Sequence, residues 1–282
     1  MPETSSNSAL STHGTFYVVP TPIGNLQDIT LRAISILQTV DLILTEDTRT
    51  SAVLLKHFDI HTPTKSYHKF NEKEMTPKII QKLNSGQNIA LISDAGTPLI
   101  SDPGAVLVQE LHQNGITPVP LPGACAVTTF LSAIDNPSNT FEFVGFLPTK
   151  NKDRAQIFEK IKDHTIVFYE SPNRIVKTLQ ELAEQLPDSQ VAIGRELTKI
   201  HEEIKQGAIQ EILEYYLNKP PKGEMVVAVL KTPTPAAMPL DKHIITLVEQ
   251  GYGAKDISKI LSTIFETNKK EIYQKALHYI NT

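Results

Sequence analysis

The chain has 282 residues, 40% of them hydrophobic and 21% charged, with a formal net charge of −4 at pH 7. That is the composition of a soluble globular protein long enough for two ordinary domains, and it excludes a general attraction for polyanions. Cys125 is the only cysteine, so an intrachain disulfide framework and a thiolate-rich metal site are excluded too.

Residues 1–14 are polar, without the basic start and apolar core of a secretion signal, and read as a disordered leader. No apolar run approaches the roughly 20 residues of a membrane span. Together these features predict a cytoplasmic protein with no membrane contact. The histidines show no metal-ligand spacing, so no metal is expected, and His57 with His61 is split by a helix end.

From Phe16 the pattern alternates strand-like and helix-like segments, as in an α/β domain. Phe16 to Pro20 is a first apolar run, followed by the loop Thr21-Pro22-Ile23-Gly24-Asn25-Leu26. Asp28 is expected to cap a helix that carries Leu31, Ile34 and Leu37 on one face. Further strands are predicted at Asp41 to Leu44, Asn88 to Ile92 and Thr117 to Pro120, with a helix from Asn71 to Leu83 and another through Val106, Leu107 and Leu111. Small residues after Gly123 open one more helix. The break Asp135-Asn136-Pro137-Ser138-Asn139 ends this domain, which is taken as 15–135.

Residues 136–231 repeat the alternation as a second α/β domain. Its strands are predicted at Phe141 to Val144, Thr165 to Tyr169, Gln190 to Gly194, Glu202 to Lys205 and Met225 to Leu230, and its helices at Ala155 to Ile161, Ile175 to Leu186 and Ile209 to Leu217. Lys150, Lys152, Arg154, Lys160, Lys162, Arg174 and Lys177 outnumber Asp153, Glu159, Asp163 and Glu170, a local basic balance suited to phosphates or to a solvated helix face. Residues 232–239 form a proline-rich, stiff linker. In 240–282, apolar residues at helical spacing predict a three-helix appendage, either a helix-turn-helix or a packing element.

The most informative segment is Ser93-Asp94-Ala95-Gly96-Thr97-Pro98-Leu99-Ile100-Ser101-Asp102-Pro103-Gly104, directly after a buried strand. Its glycines permit sharp turns, its prolines stiffen them, and its side chains supply donors and acceptors. Asp102-Pro103 also suits a helix start, with Asp102 as N-cap. A simple connection leaves Asp94 to Pro98 unexplained, which points to a small-molecule site on the side where open parallel sheets bind ligands.

Six stretches in register resemble the tetrapyrrole methylase superfamily, and within it the branch that methylates small-subunit ribosomal RNA. They are Thr21 to Leu26, Glu46-Asp47-Thr48-Arg49, Ser93 to Gly104, Pro122-Gly123, Tyr169-Glu170-Ser171-Pro172-Asn173-Arg174 and Arg195-Glu196-Leu197-Thr198-Lys199. The resemblance runs from about Phe16 to Leu230. It implies a two-domain, class III S-adenosylmethionine methyltransferase fold with S-adenosylmethionine in the cleft between domains, commonly in a homodimer. It also implies 2′-O-methylation of a cytidine ribose in the decoding region of 16S ribosomal RNA, on the small ribosomal subunit. Thr97 stands where the superfamily often has Asp.

The cofactor contacts carried over are Pro22, Ile23, Asp94, Gly96, Thr97, Ile100, Cys125 and Ala126, with Tyr169 and Met225 as weaker ones. Glu46 and Asp47 are the candidate catalytic carboxylates, against an alternative in which they cap a helix or pair with Arg49. Arg49, Arg174, Arg195 and Lys199 are the candidate RNA phosphate contacts, since arginine grips phosphate bidentately. Two other readings stay open: methylation of a tetrapyrrole or other small molecule, and a non-catalytic RNA-binding or assembly protein that kept the fold.

Overall fold

The protein is described from a computed structural model, which covers residues 13–138, 140–162, 164–230, 240–265 and 267–280. Backbone contacts gather the chain up to about residue 231 into one compact unit and the C-terminal helices into another.

The first sheet contains β1 (Phe16–Val18), β2 (Leu42–Thr45), β3 (Thr64–Ser66), β4 (Ile89–Leu91) and β5 (Val119–Pro120), all parallel, in the order β3-β2-β4-β1-β5. Parallel strands buried on both faces read as continuous apolar runs, as Leu42 to Leu44 and Ile89 to Leu91 do. Alternate side chains enter opposite layers. Leu42, Leu44, Ile89 and Leu91 pack with α3 (Glu72–Asn84) and α4 (Ala105–Gln113), while Ile43 and Ala90 pack with α1 (Leu31–Thr39) and α2 (Thr48–His57). Crossovers toward β3 therefore use one face and those toward β5 the other, as right-handed connections require.

The second sheet has the order β6-β7-β10-β8-β9, from β6 (Phe141–Phe146), β7 (Thr165–Glu170), β8 (Gln190–Arg195), β9 (Glu203–Ala208) and β10 (Met225–Leu230). Only β6 and β7 run parallel; the other pairs are antiparallel. One face is covered by α6 (Asn151–Glu159), α7 (Ile175–Gln185) and α8 (Ile209–Asn218). The other receives α5 (Ala126–Leu131), whose Val127 and Phe130 share a core with Val167, Ala192, Val226 and Ala228. So α5, which precedes the sequence-based domain break, packs on the second sheet.

Two helix starts differ from the sequence expectation. Asp28 ends a short 3-10 turn, and Thr30 caps α1, its Oγ1 accepting from the Ala33 N–H at 3.1 Å. Asp102 does not cap α4. Gly104 occupies that position with φ 130°, and a Glu72 Oε1 reaching over from α3 takes its N–H at 3.0 Å. A left-handed residue placed after Pro103 turns the chain away from Asp102. β3 lacks apolar alternation because it is a short, largely exposed edge strand, so nothing in its sequence marked it.

The C-terminal unit holds α9 (Leu240–Glu249), α10 (Ala254–Ile264) and α11 (Lys269–Ile280) around Ile244, Ile257, Leu261 and Ile272. Lys275 pairs with Asp241 at 3.0 Å. Of the expected leader, residues 1–12 lie outside the described residues, and so does the expected linker 232–239.

Candidate active site

A cavity of about 350 Å³ opens where the loops following the first sheet meet the ends of β7, β8 and β10. One wall is the Asp94 to Thr97 segment with Ile100 to Asp102, together with Ile23, Cys125 and Ala126. The other comprises Phe146, Tyr169 to Pro172, Gly194, Leu197 and Gly223 to Val226. The volume falls within the roughly 300–1,000 Å³ of small-molecule sites.

Hydrogen bonds hold the first wall rigid. Thr21 and Gly96 exchange backbone bonds at 2.9 and 3.0 Å, and Thr21 Oγ1 donates to the Ser93 carbonyl at 3.1 Å. Ser93 Oγ donates to the Gly96 carbonyl at 3.0 Å, and Thr97 Oγ1 to the Ala124 carbonyl at 2.9 Å. Gly96 has φ 80°, and a Cβ there would lie 3.2 Å from Ile23 Cγ2, so the loop and the Ile23 side chain meet because no side chain intervenes. Leu99 and Ser101 are left-handed without being glycine, at φ 70° and 72°. Such residues cost about 1–2 kcal/mol each, so the surrounding structure must impose the turn that carries Ile100 and Asp102 to the cavity.

Three carboxylates converge near the ends of β2 and β4. Burial raises the pKa of Glu46, with Asp94 adding repulsion and His68 and Lys69 opposing it. Asp94 is raised as well, by burial first, although its Oδ1 accepts from the Asp47 N–H at 3.2 Å. Asp102 is pushed up to about 6 by burial, then by Glu46 and Asp94, with the Ser93 hydroxyl opposing. Its folded value exceeds its unfolded one, so ionisation of Asp102 opposes folding as pH rises from about 4 to about 6. Beyond it, Tyr169 packs edge-on against Phe143 at 5.0 Å and against Phe146 at 5.4 Å. Burial drives the Tyr169 hydroxyl well above its usual range, and Cys125, Asp102 and Glu224 reinforce this.

Of the ten residues carried over as cofactor contacts, nine line the cavity: Ile23, Asp94, Gly96, Thr97, Ile100, Cys125, Ala126, Tyr169 and Met225. Pro22 is buried and does not line it. Asp47 caps α2 through the Arg49 N–H at 2.8 Å and pairs with the Arg49 guanidinium at 2.7 Å, which lowers its pKa to about 2. Glu46 does not line the cavity.

Among the four cations, Arg49 is the most exposed, its side chain 90% accessible although its guanidinium is paired with Asp47. Arg174 Nη2 donates to the Leu147 carbonyl at 2.9 Å while Nε lies 3.3 Å from Glu170. Arg195 lies 3.7 Å from Glu203, and Lys199 bonds both Glu196 and Glu224 at 2.9 Å. Within the basic run, Lys160 pairs with Glu142, and Arg154 is buried against Glu181. Asp163 of that run lies outside the described residues.

Sequence reasoning missed Asp102, Phe146 and Leu197 as wall residues. Asp102 was read as a cap; the mark against that was Gly104, a left-handed residue that a proline-led helix start does not need. Phe146 sits at a strand end with no local motif.

The model of the tetrapyrrole (corrin/porphyrin) methylases matches residues 15–213. The chain belongs to the tetrapyrrole methylase family. Relatives similar along nearly the whole length include the ribosomal RNA small subunit methyltransferase I of Haemophilus influenzae, 42% identical over 95% of this chain and 98% of that protein. The protein of the same name from Vibrio cholerae is 49% identical over 76% of each. Among solved structures, cobalt precorrin-4 methyltransferase superposes with a TM-score of 0.57 at 19% identity, covering 76% of this chain and 94% of that one. Uroporphyrin-III C-methyltransferase from Thermus thermophilus, complexed with S-adenosyl homocysteine, gives 0.54 at 16%, covering 76% and 97%. At such identities the structures speak for the fold alone.

Proposed function

We propose that this chain methylates the ribose 2′-oxygen of a cytidine in the decoding region of 16S ribosomal RNA, cytidine 1402, with S-adenosylmethionine as donor. The methyltransferase class and the donor follow from family membership. The observation that carries the reading is the cavity itself, where apolar walls meet Asp94 and Asp102, two carboxylates with no ion pair among the described residues.

The cavity chemistry fits the donor. A sulfonium needs carboxylates or carbonyls nearby, and a purine needs apolar walls. Asp94 supplies the first, and Ile23, Ala126, Leu197 and Met225 the second. The Gly96 cradle allows close approach of a ligand to backbone. When bound, the donor supplies an electrophilic methyl group. The residues of this chain then hold it against the incoming hydroxyl, and that alignment accounts for much of the rate. Arg49, exposed and paired with Asp47, is the phosphate contact this reading favours, while Arg174 and Lys199 are held by the wall carboxylates Glu170 and Glu224 and Arg195 by Glu203. The reading places the protein on small subunits in the cytoplasm, as a homodimer.

The test is incubation with labelled S-adenosylmethionine and small subunits from a strain lacking the endogenous activity, followed by mapping of the modified nucleotide. Label on a single cytidine ribose is expected; label on no RNA overturns the reading. For Arg49→Ala, kcat/KM on small subunits should fall about fivefold, the worth of roughly one exposed charge-assisted phosphate contact. The slope of log affinity against log salt should become shallower by about one, with affinity for S-adenosylhomocysteine retained.

A further inference from the structure

The cavity wall contains four carboxylates among the described residues: Asp94, Asp102, Glu170 and Glu224. A 2′-hydroxyl is a poor nucleophile, so transfer to it benefits from a positioned proton acceptor. The four differ in what already occupies them. Glu170 takes the Thr178 hydroxyl at 2.9 Å and the Ser171 N–H at 2.8 Å, with Arg174 at 3.3 Å. Glu224 holds Lys199 at 2.9 Å with its side chain 78% exposed. Asp94 accepts the Asp47 N–H and so fixes the start of α2. Asp102 is half-buried and, among the described residues, carries no ion pair; its polar neighbour is the Ser93 hydroxyl.

We infer that Asp102 is the proton acceptor of the methyl transfer, an assignment that rests on the function proposed above. The left-handed pair Leu99 and Ser101 turns the loop so that Asp102 faces the cavity, and the Glu72 cap on Gly104 releases it from starting α4. As the hydroxyl oxygen bonds to the methyl carbon, the carbon–sulfur bond breaks and its electron pair remains on sulfur. The hydroxyl proton passes to the Asp102 carboxylate and then to water. The products are the 2′-O-methyl ribose and S-adenosylhomocysteine.

The groups facing Asp102 are Glu46 after β2, Asp94 after β4 and Tyr169 on β7. His68 and Lys69 act on Glu46, while Cys125 and Glu224 act on Tyr169. The acidic neighbours make Asp102 a stronger base than a surface carboxylate, still ionised at neutral pH.

The test measures single-turnover methylation of small subunits between pH 5 and pH 8, with S-adenosylhomocysteine affinity measured by calorimetry. Wild type should lose rate as pH falls through about 6. Asp102→Asn is expected to lower the rate at least about 100-fold, as loss of a general base does, and to abolish that acid limb. Its affinity for S-adenosylhomocysteine should stay within about threefold of wild type. Asp102→Glu should restore part of the rate and keep an acid limb. Near-wild-type turnover by Asp102→Asn, an unchanged acid limb, or loss of S-adenosylhomocysteine binding overturns the assignment while leaving the RNA reading intact. No label with wild type removes the RNA reading and this assignment with it.

Discussion

Gly96→Val is expected to reduce S-adenosylhomocysteine affinity at least about 100-fold by calorimetry, since a misplaced wall forfeits several contacts at once. The backbone at Gly96 has φ 80°, a region that β-branched residues rarely enter, and a Cβ there would stand 3.2 Å from Ile23 Cγ2 and 3.7 Å from the Ala124 carbonyl. Either the loop moves or Ile23 does, and both are cavity walls. The Thr21–Gly96 exchange and the Ser93 bond tie any loop movement to the ends of β1 and β4. Gly86→Val is the control. Gly86 has φ 90° with nothing within 4 Å of an added Cβ, so it carries the backbone strain without a neighbour to displace. The two variants should lose comparable melting temperature, while only Gly96→Val loses binding. Equal binding by both would remove the central loop from the site.

Arg154→Met is expected to cost about 3 kcal/mol in urea unfolding, the lower end of what breaking one partner of a buried pair costs. Arg154 makes two bonds to Glu181, at 2.7 and 2.6 Å, and others to the Pro148 and Thr149 carbonyls and to Asn151 Oδ1, at 2.8 to 2.9 Å. Removing the guanidinium strands Glu181, for which Lys177 at 4.0 Å is a weak substitute, and frees the carbonyls after β6. The double variant Arg154→Met, Glu181→Met should recover a large part of the loss, because it removes the stranded charge. In wild type the depressed Glu181 pKa adds stability at neutral pH that is lost as pH falls through it, with Arg154 as the main cause. An unfolding midpoint unchanged by Arg154→Met would show that the pair is solvated.

Arg154 also shows where sequence reading stops. In the chain it sits among Lys150, Lys152 and Lys160 and looks like one more cation on a solvated face. Only the α6–α7 packing, across 27 residues of sequence separation, reveals its carboxylate. The fold was more legible. Strands such as Met225–Leu230 announce themselves by unbroken apolar content, and the three C-terminal helices by their period. Loop residues followed the family motifs, because a ligand wall is built from local sequence. Phe146 was invisible because it reaches the cavity by tertiary placement, Leu197 stood in a family motif with no role assigned to it, and Asp102 was hidden by a plausible local role. Distant partners such as Glu72 for Gly104 leave no trace in a window of a few residues.

The placement of α5 has a mechanical consequence. Phe130 is fully buried, and a Cβ at Gly194 would stand 2.6 Å from its ring, so a helix that follows β5 is seated in the core beneath the second sheet. Pulling α5 off the second sheet would put that ring in water, at a cost of about 3 kcal/mol or more, so the helix is bound to that sheet and the change of sheet falls in the short connection between β5 and α5.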